Sequence, residues 1–257
     1  AKINFDGWAW LCSCIGKAIY QNGSLIIFSE HTSPARLVCF FLCVQHGYNL
    51  KFAISFIERY NKRKHNLEGK NIMSMLTLAQ AKEILPKHTT EQHLFVHAAA
   101  VSAAMGAMAE HFGEDKAYWE AIGYLHDVDF EKFPQEHCHH VRELLANEPV
   151  DEEDMENIIA HGYGICTEEV QPSSNLQKSL FAVDELTGII HAYSLMRPEG
   201  MEGMEVKSLK KKFKDKKFAA KCNREIIKNG VADLDMDLGD VMACCIKGMT
   251  EHKAELV

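Results

Sequence analysis

The amino-acid sequence predicts an all-α fold from residue 73 onward. Apolar residues in this part recur at helical spacing, as they do on the buried face of an amphipathic helix. We find no convincing alternation of apolar and polar residues with a period of two, and no rhythm of strands and helices typical of a parallel sheet. Capping and turn residues also mark the ends of several segments, as expected for a bundle of separate helices.

Each helix is predicted from its composition and from a start or stop signal. His93–His111 consists almost entirely of residues with good helix propensity. Asp151–His161 carries acidic residues in its first turn, which suits a helix N-terminus, and Ser174–Met196 is followed by Arg197-Pro198, where proline ends the helix. In chain order the predicted helices are LTLAQAKEIL after Met75, His93–His111, Asp115–His126, Gln135–Asn147, Asp151–His161, Ser174–Met196, Lys207–Phe213, Asp215–Lys228 and Leu238–Lys253.

The bulk composition is that of an ordinary globular protein, with 257 residues, 47% hydrophobic and 25% charged. We expect no membrane-spanning helix, because the chain has no run of 18 or more apolar residues. A net charge of −8 disfavours a general nucleic-acid binder. The nine cysteines are odd in number and form no CxxC pair, which indicates reduced thiols in a cytoplasmic protein. Fourteen histidines point towards metal chemistry.

The composition changes near residue 72. Residues 1–72 carry a net charge of +5, whereas residues 73–257 carry −13. The apolar blocks Leu25–Phe28 and Leu37–Val44 show no sustained helical or strand period. Because Met73 and Met75 precede a good helix opening, we predict that residues 1–72 are a foreign, fused or mistranslated extension. The alternative is a genuine small N-terminal domain.

Three polar features interrupt apolar helical sequence. The pair His126-Asp127 stands in the apolar run AIGYLHDVDF, and it is too polar to bury without a partner. A divalent metal would satisfy both side chains. Asp184 lies in the middle of a helix (LFAVDELTGII), although aspartate has poor helix propensity and is rarely buried unpaired. Asp184 either lies on the exposed face or points inward as a ligand, and its apolar neighbours favour the second. His97 lies within the helix upstream.

In this order, His97, His126-Asp127 and Asp184 resemble the H…HD…D pattern of the HD-domain superfamily of metal-dependent phosphohydrolases. The resemblance extends to the C-terminus, where the chain is similar to an uncharacterised bacterial HD hydrolase subfamily. It implies an HD-domain helical bundle over residues 73–257. The segments that carry it are GYLHDVDFEKFPQEH, AHGYG, VDELTGII and VKSLKKKFKDKKFAA.

The resemblance implies that His97, His126, Asp127 and Asp184 bind one divalent metal. Such mixed nitrogen and oxygen ligands suit Mn²⁺, Fe²⁺, Co²⁺, Ni²⁺, Zn²⁺ or Mg²⁺, and the metal would activate water for attack on phosphorus. Two-metal members of the superfamily carry extra histidines where this chain has His137 and His161. These two either bind a second metal, with Asp127 bridging, or contact the phosphate directly. One or two metals per chain are therefore expected.

Two further carboxylates follow the His-Asp pair closely. Asp129 and Glu131 are candidates for proton transfer or for orienting the metal-bound histidines, which need a partner on their other ring nitrogen. The alternative is a solvated acidic turn before Pro134. We therefore group Asp127, His126, Asp129 and Glu131 as candidate catalytic residues.

The lysine-rich stretch KSLKKKFKDKK lies inside an otherwise acidic region. Such a run is usually a solvated face. Lys207, Lys210 and Lys211 nevertheless share one helical face that would attract an anionic substrate, and Arg197 offers a bidentate fork for phosphate. These four residues are the candidate phosphate binders.

Together these features predict a metal-dependent phosphohydrolase, a phosphomonoesterase or a phosphodiesterase. The expected substrate is a small phosphorylated metabolite such as a nucleotide. The alternative is a non-catalytic sensor that binds a metal and a nucleotide. A nucleic-acid-binding role for the lysine run is disfavoured by the acidic charge and by the lack of aromatic stacking platforms. No membrane partner is expected, and the oligomeric state does not follow from these residues.

Overall fold

The computed structural model describes residues 17–21, 24–28 and 75–256 of the chain. Contacts between Cα atoms divide the chain into two units, Ala1–Ile72 and Met73–Val257. In the first unit, strands β1 (Lys17–Gln21) and β2 (Ser24–Phe28) form an antiparallel pair, with Gln21 opposite Ser24. The apolar block Leu25–Phe28 is therefore part of a strand, whereas Leu37–Val44 lies outside the described residues. The foreign origin of residues 1–72 stays a prediction.

The all-α prediction is confirmed for residues 75–256, which contain no strand. Three short 3₁₀ helices, Leu85–Lys87, Ala160–Gly162 and Lys253–Glu255, accompany the α-helices in this part. The α-helices of the same region are α1 (Leu78–Ile84), α2 (Gln92–Phe112), α3 (Lys116–Leu125), α4 (Val141–Leu145), α5 (Glu152–Ile159), α6 (Asn175–Ser194), α7 (Val206–Lys214), α8 (Arg224–Asp233) and α9 (Leu238–Glu251).

Local capping explains where the long helices begin and end. Ser174 and Gln177 form a capping box at the start of α6, in which each side chain accepts a hydrogen bond from the other residue's backbone N–H. The Asp115 side chain accepts from the Tyr118 N–H at the start of α3. Gly113 ends α2 in the left-handed conformation, with φ of 70°.

Helix α2 is the centre of the core and packs against α3, α6 and α9. Its buried residues are mostly alanines and methionines between Val96 and Ala109. The small side chains allow close approach, since a Cβ added to Gly248 of α9 would overlap the carbonyl oxygen of Ala103. Across residues 75–256, none of the helices combines the length and the apolarity needed to cross a membrane.

The predicted helix Gln135–Asn147 is wrong over its first half, because only Val141–Leu145 is α-helical. The preceding residues form turns, and Cys138 adopts a left-handed backbone conformation with φ of 68°. The Asp129 carboxylate accepts hydrogen bonds from the His137 ring and from the His140 N–H. These contacts with a side chain earlier in the chain hold the turn in place of helical hydrogen bonds.

The predicted helix Asp215–Lys228 is also displaced, because α8 begins only at Arg224. The Arg224 guanidinium donates hydrogen bonds to the carbonyl oxygens of Phe218, Ala219 and Cys222. Asn223 caps the new start by accepting from the Glu225 N–H. An arginine thus satisfies carbonyl groups that a continuous helix would pair with backbone N–H groups.

Candidate metal centre

Five separate segments bring histidine and aspartate side chains to one place beside the core. Helices α2 and α6 each contribute one side chain, and the residues directly after α3 contribute two. The other side chains come from the turn before α4 and from the 3₁₀ helix after α5. The residues brought together are His97, Asp184, His126, Asp127, His137 and His161.

The first ligand set comprises His97, His126, Asp127 and Asp184. The Nε2 atom of His97 lies 2.9 Å from Oδ1 of Asp184 and 3.2 Å from Nε2 of His126. Oδ2 of Asp127 lies 3.3 Å from Nε2 of His126 and 3.5 Å from Nε2 of His97. Ligand atoms around a tetrahedral metal with bonds near 2.0–2.1 Å are about 3.3 Å apart. The four side chains are therefore spaced as metal ligands are.

The second ligand set comprises Asp127, His137 and His161. Nε2 of His137 lies 3.0 Å from Nε2 of His161 and 3.3 Å from Oδ1 of Asp127. Nε2 of His161 lies 3.7 Å from the same oxygen. Asp127 thus directs one carboxylate oxygen to each set, as a ligand bridging two metal ions does.

The other ring nitrogens of three histidines are held by hydrogen bonds that fix the ring orientation. His126 and His161 donate from Nδ1 to the carbonyl oxygens of Gly123, at 2.8 Å, and Ile158, at 2.6 Å. His137 donates from Nδ1 to the Asp129 carboxylate, at 2.8 Å. With Nδ1 engaged in this way, Nε2 is the nitrogen of each ring that faces the cluster, and it would offer its lone pair to a metal ion that displaces the Nε2 proton. Metal-binding histidines are supported by such second hydrogen bonds.

The electrostatics of the cluster match a site for a cation. Burial opposes the charged form of His126, but Asp127 and Asp184 outweigh it and raise the His126 pKa well above its usual value. Burial likewise opposes charge on His137, and hydrogen bonds to Asp127 and Asp129 raise its pKa to about 10. The carboxylates therefore need positive charge beside them, and a divalent metal would supply that charge in place of protons.

The structure treats the two additional carboxylates differently. Asp129 is fully buried and supports His137, so it contacts the second ligand set. Glu131 accepts hydrogen bonds from the backbone N–H groups of Thr90 and Glu91 and from the Thr90 hydroxyl. Glu131 therefore caps the start of α2, and the structure does not bring it to the cluster.

The candidate phosphate binders are not brought to the cluster by any contact among residues 75–256. Arg197 donates to the carbonyl oxygens of Gly200 and Glu202 in the turn that follows α6. Lys210 lies 3.3 Å from an Asp237 carboxylate oxygen, while Lys207 and Lys211 are exposed to solvent. The guanidinium of Arg197 is already used to close a turn and Lys210 pairs with Asp237, which leaves Lys207 and Lys211 as the members of the four with no ion pair to a described residue.

Cys138 is a possible ligand that the sequence reasoning passed over. Its sulfur is buried and lies 3.9 Å from Nε2 of His161. The ligand atoms of His137, Cys138 and His161 all lie within 4.8 Å of one another. The only signal in the sequence was its place next to His137, because the turn that directs both side chains to His161 is set by contacts with distant residues.

Comparisons with known proteins gave no matching family model, no similar curated protein and no similar solved structure. What the structure establishes is therefore the class of molecule, a helical domain with a cluster of buried and half-buried His, Asp and Cys side chains that can hold a metal ion.

Proposed function

We propose that this chain is a metal-dependent phosphohydrolase of the HD-domain superfamily, acting on a small phosphate ester such as a nucleotide. One observation carries the proposal, namely the two oxygens of Asp127 facing two sets of imidazole nitrogens. The order of His97, His126-Asp127 and Asp184 along the chain, and their resemblance to the superfamily pattern, add support. The first observation is spatial and includes His137 and His161, whereas the second concerns order along the chain and includes Asp184. Asp127 is common to both.

The donor chemistry fits divalent transition metals. The first ligand set offers two imidazoles and two carboxylates, and the second offers two imidazoles and the shared carboxylate. Such mixed nitrogen and oxygen sites suit Mn²⁺, Fe²⁺, Co²⁺, Ni²⁺ or Zn²⁺. We propose one ion in each set. A pair of ions would supply Lewis acidity toward a phosphoryl group and a water nucleophile active at neutral pH.

The exposure of the ligands indicates where a substrate would enter. The side chains of His97 and Asp184 are 26% and 25% exposed, whereas that of His161 is 3% exposed. The first ligand set therefore opens to solvent and is accessible to water and to a phosphate group. His126 and His161 are anchored by backbone carbonyls below it, so the chain holds them in place whether or not substrate is bound.

The test measures metal content and hydrolysis on the full chain. Metal-stripped protein is supplied with each divalent ion in turn and assayed with p-nitrophenyl phosphate, bis(p-nitrophenyl) phosphate and a panel of nucleotides. We expect metal-dependent turnover that is lost in Asp184→Asn. Glu185→Gln is the matched control, because it alters the adjacent carboxylate on α6, which is not in either ligand set.

Two outcomes would overturn the proposal. Turnover that survives both chelation and Asp184→Asn would exclude the metal centre as its source. Tight binding of metal and nucleotide without turnover of any substrate would support the alternative, a sensor that keeps the site but not the reaction.

We also propose a reducing compartment, the cytoplasm, for this protein. Five cysteines in the described part of the chain are free thiols, including Cys138 and Cys166, whose sulfurs both approach Gly162. Disulfides form and persist in oxidising compartments and are rare in reducing ones. A fluorescent fusion found outside the cytoplasm would contradict this assignment.

A further inference from the structure

The sulfur of Cys138 lies where a further metal ligand would be expected. Cys138 is 1% exposed, and its Sγ atom faces Nε2 of His161 at 3.9 Å. Bond lengths of about 2.3 Å to sulfur and 2.0–2.1 Å to nitrogen place S and N roughly 3.6 Å apart around a tetrahedral metal. The observed separation is close to this value. Cys138 also belongs to the hydrophobic core, so the nearby imidazole nitrogen, and not burial alone, indicates a ligand.

The local backbone holds the sulfur in this position. Cys138 has φ of 68°, a conformation that residues other than glycine rarely adopt. Such strain persists only where the surroundings impose it, and it is concentrated at functional sites. On the opposite side, Gly162 leaves room for the sulfur, since a Cβ atom there would lie 2.5 Å from Cys138 Sγ. The turn and the 3₁₀ helix are thus both adapted to the position of this sulfur.

We propose that Cys138 is a ligand of the second metal position, which makes that position a thiolate site selective for Zn²⁺, Fe²⁺ or Co²⁺ over Mg²⁺ and Mn²⁺. The inference rests on the second ligand set of the proposed function and adds one donor to it. Thiolate is a soft ligand that prefers these softer ions, whereas carboxylate and water suit Mg²⁺ and Mn²⁺. The metal displaces the thiol proton when it binds.

Cys166 provides a matched control for this assignment. A Cβ atom at Gly162 would lie 2.6 Å from its sulfur, so Cys166 is as close to that glycine as Cys138 is. Its thiol lies beside the Cys138 thiol but donates to the Gly162 carbonyl oxygen at 3.6 Å, so Cys166→Ala also removes a neighbour of Cys138 Sγ. Removing either sulfur makes a similar small space beside the 3₁₀ helix, but only Cys138 belongs to the group of ligand atoms with His137 and His161.

The test is Co²⁺ titration of the full, reduced chain, followed by absorption spectroscopy. We expect a thiolate-to-Co²⁺ charge-transfer band in the wild type and in Cys166→Ala, and its loss in Cys138→Ala and Cys138→Gly. The glycine variant accepts the left-handed backbone without strain, so it separates loss of the ligand from misfolding. Because the chain has other thiols, the band is assigned from the difference between the wild type and each variant.

A competition measurement gives the selectivity. Zn²⁺ affinity at the second position should fall roughly 10- to 100-fold or more in both Cys138 variants, a loss at least as large as that for removing a supporting residue. Mn²⁺ affinity should change much less. A second Co²⁺ ion bound without a charge-transfer band, or a band of the same intensity as wild type in both Cys138 variants, would overturn the assignment.

The spectroscopic test is independent of turnover. If the band depends on Cys138 but the protein hydrolyses nothing, Cys138 is supported as a metal ligand and the proposed phosphohydrolase activity is overturned. If the protein shows metal-dependent hydrolysis but binds only one ion and gives no band, the phosphohydrolase activity is supported and the assignment of Cys138 as a metal ligand is overturned.

Discussion

The two ligand sets differ in the kind of backbone that presents them. His97 and Asp184 extend from the long helices α2 and α6, whose other faces are part of the core. His137 lies in the turn before α4, and His161 lies in a 3₁₀ helix of three residues. His97 and Asp184 are therefore fixed by helix packing, while His126 and Asp127 of the same set directly follow α3. His137 and His161 of the second set depend on short-range turns and on the side chains that hold them.

The sets also differ in access. The open side of the cluster is the first set, where His97 and Asp184 are each about a quarter exposed. The second set is deeper, with His137 14% exposed. Under the proposed function, we expect the deeper second set to hold its ion more tightly and the more exposed first set to exchange water and substrate. The two sets are therefore expected to have different roles, and substitutions in each set test this expectation.

The largest effect is expected from Asp127→Asn, which removes the carboxylate that serves both sets at nearly constant volume. We expect loss of both metal ions. Under the proposed function a metal ion would lower the barrier by several kcal/mol, so its loss should reduce kcat/KM by roughly a thousandfold or more. Metal analysis of the purified variant and steady-state hydrolysis provide the measurements.

Asp129→Asn is the comparison variant for Asp127→Asn, and we expect it to have a smaller effect on metal binding. Asp129 contacts only the second set, through Nδ1 of His137, and substitutions of such supporting residues cost about 10- to 100-fold in metal affinity or activity. We therefore expect partial loss of one ion. If the two variants lost the same number of ions, Asp127 would not be a bridging ligand.

The next largest effects separate the two sets. His97→Asn should lower the affinity of the first ion and leave the second bound, and His161→Asn should do the opposite. Isothermal titration with Co²⁺ would show one remaining site in each variant. Loss of both ions in both variants would mean that the two sets do not bind independently, and the contrast between them would disappear.

Much of the helical framework could be predicted from the sequence because its signals are local. The predicted helix Ser174–Met196 appears as Asn175–Ser194, since Ser174 caps it from the adjacent position. His93–His111 appears as Gln92–Phe112, ended by Gly113. The resemblance to the superfamily pattern, and no local signal, implied that His97 and Asp184 would share a site, and the structure places Nε2 of His97 2.9 Å from Oδ1 of Asp184.

The remaining features depend on contacts between residues distant in sequence or on turns with no clear pattern. No sequence pattern predicts that the Asp129 carboxylate accepts a hydrogen bond from the His137 ring. None predicts that Arg224 donates to three carbonyl oxygens of the loop before it. Both contacts replace helix where helix propensity alone predicts it. The direction of the Cys138 side chain could not be predicted either, because it is set by the left-handed backbone of the turn.

A smaller effect is expected from Gly162→Ala, which acts on the second set alone. The added Cβ would lie 2.5 Å from Cys138 Sγ and 2.6 Å from Cys166 Sγ, so one or both sulfurs must move. We expect the second ion to bind about tenfold more weakly, an effect in the range of supporting substitutions, and the first ion to bind normally. Calorimetric titration would measure both affinities.

A double variant shows whether crowding is the cause. Cys166→Ala removes one of the two sulfurs that the new methyl group would meet, so it should restore part of the affinity lost in Gly162→Ala. If the affinity for the first ion fell as well, the 3₁₀ helix would support both sets, contrary to the comparison above.

The smallest effect is expected from Glu131→Gln, a carboxylate two residues beyond Asp129 that belongs to neither set. Glu131 caps the start of α2, and hydrogen bonds from Thr90 and Glu91 lower its pKa below the usual value. A carboxyl with a lowered pKa in the folded state adds stability above its unfolded pKa and loses it as the pH falls through the folded value. The variant should therefore melt at a slightly lower temperature at neutral pH, with a smaller difference from wild type in acid.

The metal content of Glu131→Gln should be unchanged and its kcat/KM should stay within about twofold, because both ligand sets keep all of their ligands. A large loss of turnover at normal metal content would instead make Glu131 a proton-transfer group.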